Sequence, residues 1–222
     1  PDLFKMEAGN LASDKDNVTP EERRQAFENL KPLMDRMITD ADSAAKPEAN
    51  GKFEARFQYG AVLLGGVGDA AAKEESAKMF TEAFSHATEA NDGKIAMEYA
   101  LKAGASPNDL LKLALDGNTD LKEGESPKGM SLDLLARNVV VLYGKQVSEI
   151  AADKDNPTDA EKARALEIMR PQLERMVPLS DTVDPPQGDA RFATRMQVGA
   201  ILQENKDPKA KDYLSEAYPL AT

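Results

Sequence analysis

Apolar residues recur along this chain at intervals of three and four, the spacing that gathers side chains on one stripe of an α-helix. Ala26, Phe27, Leu30, Leu33, Met34, Met37 and Ile38 form one such stripe. Ala165, Leu166, Met169, Leu173, Met176 and Val177 form another. Period-two alternation is nearly absent. The one β-branched run, Val139-Val140-Val141, sits inside a helical pattern from Ser131 to Ala152. Helix starts are marked: Thr19 with Glu22, and Thr158 with Glu161, have capping-box spacing. Pro32 and Pro171 interrupt the two stripes, but each stripe keeps its phase across its proline. The pattern therefore predicts kinked helices and not helix ends, although an interior proline costs about 3 kcal/mol.

The second pattern is repetition. Residues 12–63 align without a gap to residues 151–202, and 20 of the 52 positions are identical. The best-matched stretches are A-S-D-K-D-N-V-T-P-E-E from Ala12 against A-A-D-K-D-N-P-T-D-A-E from Ala151, and R-F-Q-Y-G-A-V-L from Arg56 against R-M-Q-V-G-A-I-L from Arg195. Each copy reads as a short first helix, a long proline-bearing second helix, a polar link and a third helix. A fourth helix follows a short turn, which is five residues longer in the first copy (Gly65-Gly66-Val67-Gly68). Gly60 and Gly199 occupy one position of the third helix, where glycine costs about 1 kcal/mol; its recurrence predicts close approach of a neighbouring helix. Asp207-Pro208 predicts an N-cap and first residue for the last helix. Between the copies, Lys94 to Ala103 and Asn108 to Asp116 predict a helical hairpin, stopped by Gly104 and restarted by Ser106-Pro107. The Gly- and charge-rich stretch Asn118 to Gly129 predicts an exposed loop and a domain junction. The organisation expected is a first repeat unit over 1–90, a connecting hairpin and loop over 91–130, and a second repeat unit over 131–222.

The third and fourth helices of each copy resemble a tetratricopeptide repeat, which places a small residue in its first helix and A-x-x-x-F-x-x-A in its second. Gly60 with Ser76, Phe80 and Ala83 follows that pattern after the longer turn, and Gly199 with Ala210, Leu214 and Ala217 follows it with a turn about one residue short. Arg56 and Arg195 stand where that family has Trp. The resemblance implies an all-α fold of helical hairpins, a TPR-like α-solenoid with right-handed superhelical stacking. It also implies a concave face that binds a protein or peptide, without catalytic residues.

Composition narrows the partner. The chain has 222 residues, no Cys, 5% aromatic residues and a net charge of −11. That balance opposes nucleic acid and anionic lipid. The absence of Cys excludes disulfides, thiol catalysis and Cys-ligated zinc. No apolar run approaches the ~20 residues of a membrane span. The chain opens on Pro1 without Met, as a processed or trimmed chain does, so a cytoplasmic and an exported location, with a signal removed, both stay open.

The D-K-D-N segments bring oxygen ligands together (Asp14, Asp16, Asn17; Asp153, Asp155, Asn156), but lack the Gly and distal Glu of a calcium loop. They read as interhelical turns, with no metal or cofactor expected. His86, the sole His, has no nucleophile placed beside it by any motif, and no catalytic residue is expected. Gly65-Gly66-Val67-Gly68 follows a helix and lacks a closing Lys-Ser/Thr, so it reads as a flexible turn and not a phosphate cradle. The residues singled out for binding are Arg36, Arg56, Gln58, Arg175, Arg195 and Gln197. The guanidinium forks could line a groove and take carboxylates or backbone carbonyls of a peptide. The competing reading pairs them internally with the chain's many acids. The expected function is thus a non-catalytic scaffold or adaptor. Its rivals are an exported small-molecule or sugar binder, with Tyr59, Tyr99 and Tyr143 lining a pocket, and a carboxylate-dependent hydrolase or lyase.

Overall fold

Thr19 and Thr158 open the two longest helices with the same set of bonds. Thr19 N donates to Glu22 Oε2 at 2.8 Å and Glu22 N donates to Thr19 Oγ1 at 3.2 Å. Thr158 and Glu161 repeat both distances. The computed structural model describes residues 2–12, 17–44, 50–119, 121, 127–152, 155–182 and 189–221. These form ten α-helices and no strand: α1 (Asp2–Leu11), α2 (Pro20–Ser43), α3 (Gly51–Val62), α4 (Ala70–His86), α5 (Ala90–Ala103), α6 (Pro107–Asp116), α7 (Leu132–Ile150), α8 (Asp159–Thr182), α9 (Ala190–Glu204) and α10 (Ala210–Ala217). Helices α2 and α8 run through Pro32 and Pro171. In α8, Met169 and Leu173 are buried on either side of the proline, so packing offsets the lost backbone bond.

The helices divide into two compact units, Pro1–Ala105 and Ser106–Thr222. The division falls between α5 and α6, ahead of the Asn118 to Gly129 stretch expected to be the junction, and it separates the two helices expected to form a hairpin. In unit 1 each helix packs on the next, from α1 to α5. Phe4, Ala8, Phe27, Tyr59, Leu63 and Ala72 belong to one buried cluster. Phe57 lies edge-on to both Phe80 and Tyr99, with centroids 5.2 and 5.3 Å away. In unit 2 sequential packing runs from α6 to α10, and α6 also packs on α8 and α7 on α9. Its core is aliphatic, with Leu111, Leu115, Leu135, Leu142, Met169 and Met176 fully buried.

The glycines act as expected. A Cβ on Gly60 would lie 3.0 Å from Phe80 Cε1, and one on Gly199 would lie 2.8 Å from Leu214 Cδ2. Three local expectations change. The glycine-rich turn is helical: α3 continues as one π-helical turn, Leu63–Val67, and ends on Gly68 at φ 74°. The Phe4 ring sits against Gly66 where any side chain would stand. The longer turn of this copy is absorbed as extra helix, because Ala70 to Glu75 precede the α4 position that matches the start of α10. Helix α10 opens at Ala210, after Asp207-Pro208 has turned. Asp207 Oδ1 accepts from Lys209 N at 2.9 Å, a bond to the residue two on and not a helix cap. Of the loop expected from Asn118 to Gly129, residues 120 and 122–126 lie outside the described residues. Asn118 is buried and its Nδ2 donates to Ala114 O at 2.8 Å and Met130 O at 2.6 Å.

Candidate functional site

Arg56 and Arg195 stand on α3 and α9 at one position of the repeat, and both are turned inward, 7% and 9% exposed. Arg56 Nε donates to Glu82 Oε2 at 3.2 Å and Nη2 to Asp42 Oδ2 at 2.7 Å; Nη1 reaches Lys52 O at 3.3 Å. Arg195 Nε donates to Glu216 Oε2 at 3.1 Å, while Nη1 and Nη2 grip both oxygens of Asp181 at 3.0 and 2.8 Å. Asp42 and Asp181 match in the repeat, and Glu82 and Glu216 match once the longer turn is allowed for. In each copy one guanidinium therefore ties the end of the second helix to the third and fourth. Its donors are spent inside the unit, which is the internal pairing weighed against the groove. The Arg56 hydrogen bond holds the Asp42 carboxyl below its ordinary range, against the upward effect of burial.

The other four residues part company. Arg36 on α2 is 78% exposed, and its Nε lies 3.5 Å from Asp40 on the same helix. Arg175, the matching residue of α8, donates to Asp116 Oδ1 at 2.6 Å and to Thr119 Oγ1 at 3.0 Å, at the C-terminal end of α6. Gln58 presents a buried side-chain oxygen with no hydrogen-bond partner among the described residues. Gln197 is half-buried. Within unit 1, then, Arg36 is exposed and Arg56 is not.

His86 is half-buried beside Arg56, and burial first, then that guanidinium, pushes its pKa down. The carboxyls of Asp42, Asp159, Glu174 and Asp207 are displaced downward. Their first causes are hydrogen bonds from Arg56 (Asp42), Lys206 (Asp159), Lys209 (Glu174) and Arg170 (Asp207). A general acid needs the opposite displacement. No group of three or more His, Asp or Glu side chains among the described residues is placed to hold a metal ion. Of the D-K-D-N segments, Asp14, Asp16 and Asp153 lie outside the described residues; Asn17, Asp155 and Asn156 are exposed. The tyrosines proposed for a pocket are engaged within their units. Tyr59 takes a 2.8 Å bond from Lys31 Nζ and is pushed up to about 12, chiefly by burial. Tyr143 donates to Lys162 O and accepts from Asn205 Nδ2, and Tyr99 packs on Phe57 and Phe80.

The feature that sequence reasoning missed is a bare apolar face on unit 1. Leu3 and Met6 on α1 are exposed, and Leu33 and Met37 on α2 are 47% and 45% exposed. The stripe expected to be core is therefore only half covered. Between these helices and α3 lies a groove of about 150 Å³, lined by Leu3, Leu30, Leu33, Met34, Met37 and Gln58 among others. A signal for it exists in the aligned copies. Leu33 and Met6 stand where the second copy has Gln172 and Lys145, so the first copy is the more apolar at positions that face water. Among the described residues no helix is long and apolar enough to cross a membrane. Comparison of the chain with known protein families, with curated proteins and with solved structures finds no match.

Proposed function

We propose that this chain is a non-catalytic helical-repeat scaffold, of tetratricopeptide-like hairpins, that binds a protein or peptide partner. The observation that carries the reading is the exposed apolar face of α1 and α2, whose groove Gln58 helps to line. Contiguous apolar side chains left in water at a groove are the ordinary mark of a recognition surface. The internal engagement of Arg56 and Arg195 moves that surface away from them, onto a face that contains Arg36 and Gln58. The net charge of −11 favours protein over nucleic acid as the partner.

The test compares proteins retained from lysate by the wild-type chain and by a Leu33→Glu/Met37→Glu variant. Both residues are partly in water, so the variant keeps the fold. Partners recovered by the wild type and lost, by tenfold or more, with the variant support the reading. Identical recovery, or a turnover abolished by replacing specific acids, overturns it.

A further inference from the structure

In unit 2, Lys162 near the start of α8 reaches Glu204, the last residue of α9, with Nζ 2.8 Å from Oε1. The next residue, Asn205, donates to Tyr143 on α7. At the matching positions unit 1 has Arg23, Gly65, Gly66 and Phe4. The cation is kept and the carboxylate is deleted. Arg23 donates through Nε to Val18 O at 3.3 Å and makes no ion pair among the described residues. A Cβ on Gly65 would meet nothing within 4 Å. The result is a cleft of about 440 Å³ between α1, the start of α2 and the π-helical turn. Phe4, Ala8, Val18, Ala61 and Val62 give it an apolar lining, and its cations are Arg23 and Lys5. Lys5 is exposed and stands where unit 2 has Gly144. This side of α1 is not one that α6 covers in unit 2. Gly144, which matches Lys5, is exposed there, and a Cβ on it would also meet nothing within 4 Å.

We infer that this cleft of unit 1 binds a small monocarboxylate with an apolar tail. The ligand carboxylate takes the part that the Glu204 side chain plays in unit 2 and pairs with Arg23. Lys5 adds a second positive charge at the rim. The tail lies along Phe4, Ala8 and Val62, where Gly65 and Gly66 leave the backbone bare. Three observations fix the chemistry. The volume lies within the range of small-molecule sites, roughly 300–1,000 Å³. Unit 1 has Arg where the unit that supplies its own carboxylate has Lys, and the guanidinium fork is the better match to a carboxylate's two oxygens. Two cations at one apolar cleft, in a chain of net charge −11, select an anion whose remainder is apolar. The inference goes beyond the scaffold reading and does not depend on it.

The experiment titrates octanoate into the full 222-residue chain by calorimetry, with backbone amide shifts followed by NMR. A saturable isotherm with a midpoint of about 0.1–1 mM is expected for a ligand of this size. The largest shifts are expected at Val18, Gly65 and Gly66. Gly65→Glu, which copies the carboxylate of unit 2 into open space, removes the binding heat. Arg23→Gln weakens binding about tenfold. Octanamide, with the tail and no charge, and acetate, with the charge and no tail, each bind about tenfold more weakly than octanoate or worse. No saturation by octanoate overturns the inference. Octanamide or acetate binding as tightly as octanoate overturns it too, as does an isotherm that survives Arg23→Gln unchanged. Shifts centred on Leu33 and Met37 would place the ligand elsewhere and overturn it as well. Should Gly65→Glu fail to fold, the exposed Arg23 carries the test alone. Partner capture through Leu33 and Met37 is a separate readout, so the scaffold reading stands or falls apart from these outcomes.

Discussion

The two units share a sequence pattern and solve one packing problem in two ways. At the position where α1 or α7 meets the end of the third helix, unit 1 sets the Phe4 ring against Gly66, which has no side chain to obstruct it. Unit 2 has Tyr143 and Asn205 at the same two positions. There Asn205 Nδ2 donates to Tyr143 Oη at 2.8 Å, and the hydroxyl goes on to Lys162 O at 3.1 Å. One solution is apolar contact through a missing side chain, and the other a polar chain through two added groups. Against this, Arg56 and Arg195 keep one geometry in both units. Repetition in the sequence thus preserves the ion-paired knot and the helix starts, while ring contacts and exposed faces are free to diverge.

The largest test of the comparison lies at the glycine crossings. Phe80 is fully buried over Gly60 and contacts Phe57 and Tyr99, whereas Leu214, over Gly199, is half-buried. Phe80→Ala is expected to cost unit 1 about 3–5 kcal/mol, from lost transfer energy and the cavity left. Leu214→Ala is expected to cost unit 2 about 1–2 kcal/mol, because water already reaches part of the side chain. Urea unfolding with amide exchange resolved by unit measures both. Equal costs would mean that the two crossings are energetically alike despite their different burial.

A middle-sized effect separates the ring contact from the polar chain. Gly66→Ala places a methyl inside the Phe4 ring and is expected to cost about 1–3 kcal/mol. Phe4→Leu should recover much of that loss, so the two substitutions couple in a double-mutant cycle. In unit 2, Asn205→Gly leaves the Tyr143 hydroxyl without a donor and is expected to cost about 1 kcal/mol. An additive Phe4/Gly66 cycle would break the proposed equivalence of the two solutions.

Much of this was legible before any coordinates. The capping boxes, the helices running through Pro32 and Pro171 and the close approaches at Gly60 and Gly199 all follow from local chemistry or from spacing. The candidate site was legible only in part. Arg56 and Arg195 were identified as a matched pair, but Asp42 and Asp181 precede them by most of a long link, and sequence cannot say which of 39 acids closes on a guanidinium. The bare face was hidden for a different reason. Leu33 and Met37 have core spacing, and period alone assigns them to a core whether or not a helix is present to cover them.

The smallest effect is set by pH and concerns unit 1 alone. His86 is half-buried near Arg56 and Lys52, which lower its pKa together with burial, and near Asp42 and Glu82, which oppose them. Its aligned position in the second copy is Leu220. Because the folded imidazole binds its proton less readily than the unfolded one, acid favours the unfolded chain. The contribution is fully present above the ordinary value of about 6.5, and is lost as pH falls from there to the lowered folded value. A second loss follows at lower pH. Asp42 is held ionised by Arg56, so its contribution is present above its ordinary carboxylate range and fades as pH falls through its depressed value. Both terms are modest, since each group keeps access to water. Urea midpoints between pH 7.5 and 5 should therefore fall for unit 1 more than for unit 2, and His86→Leu, which copies the second unit, should flatten the slope of unit 1. Parallel slopes in the two units, or a slope that survives His86→Leu, would place the acid sensitivity in groups that the repeats share.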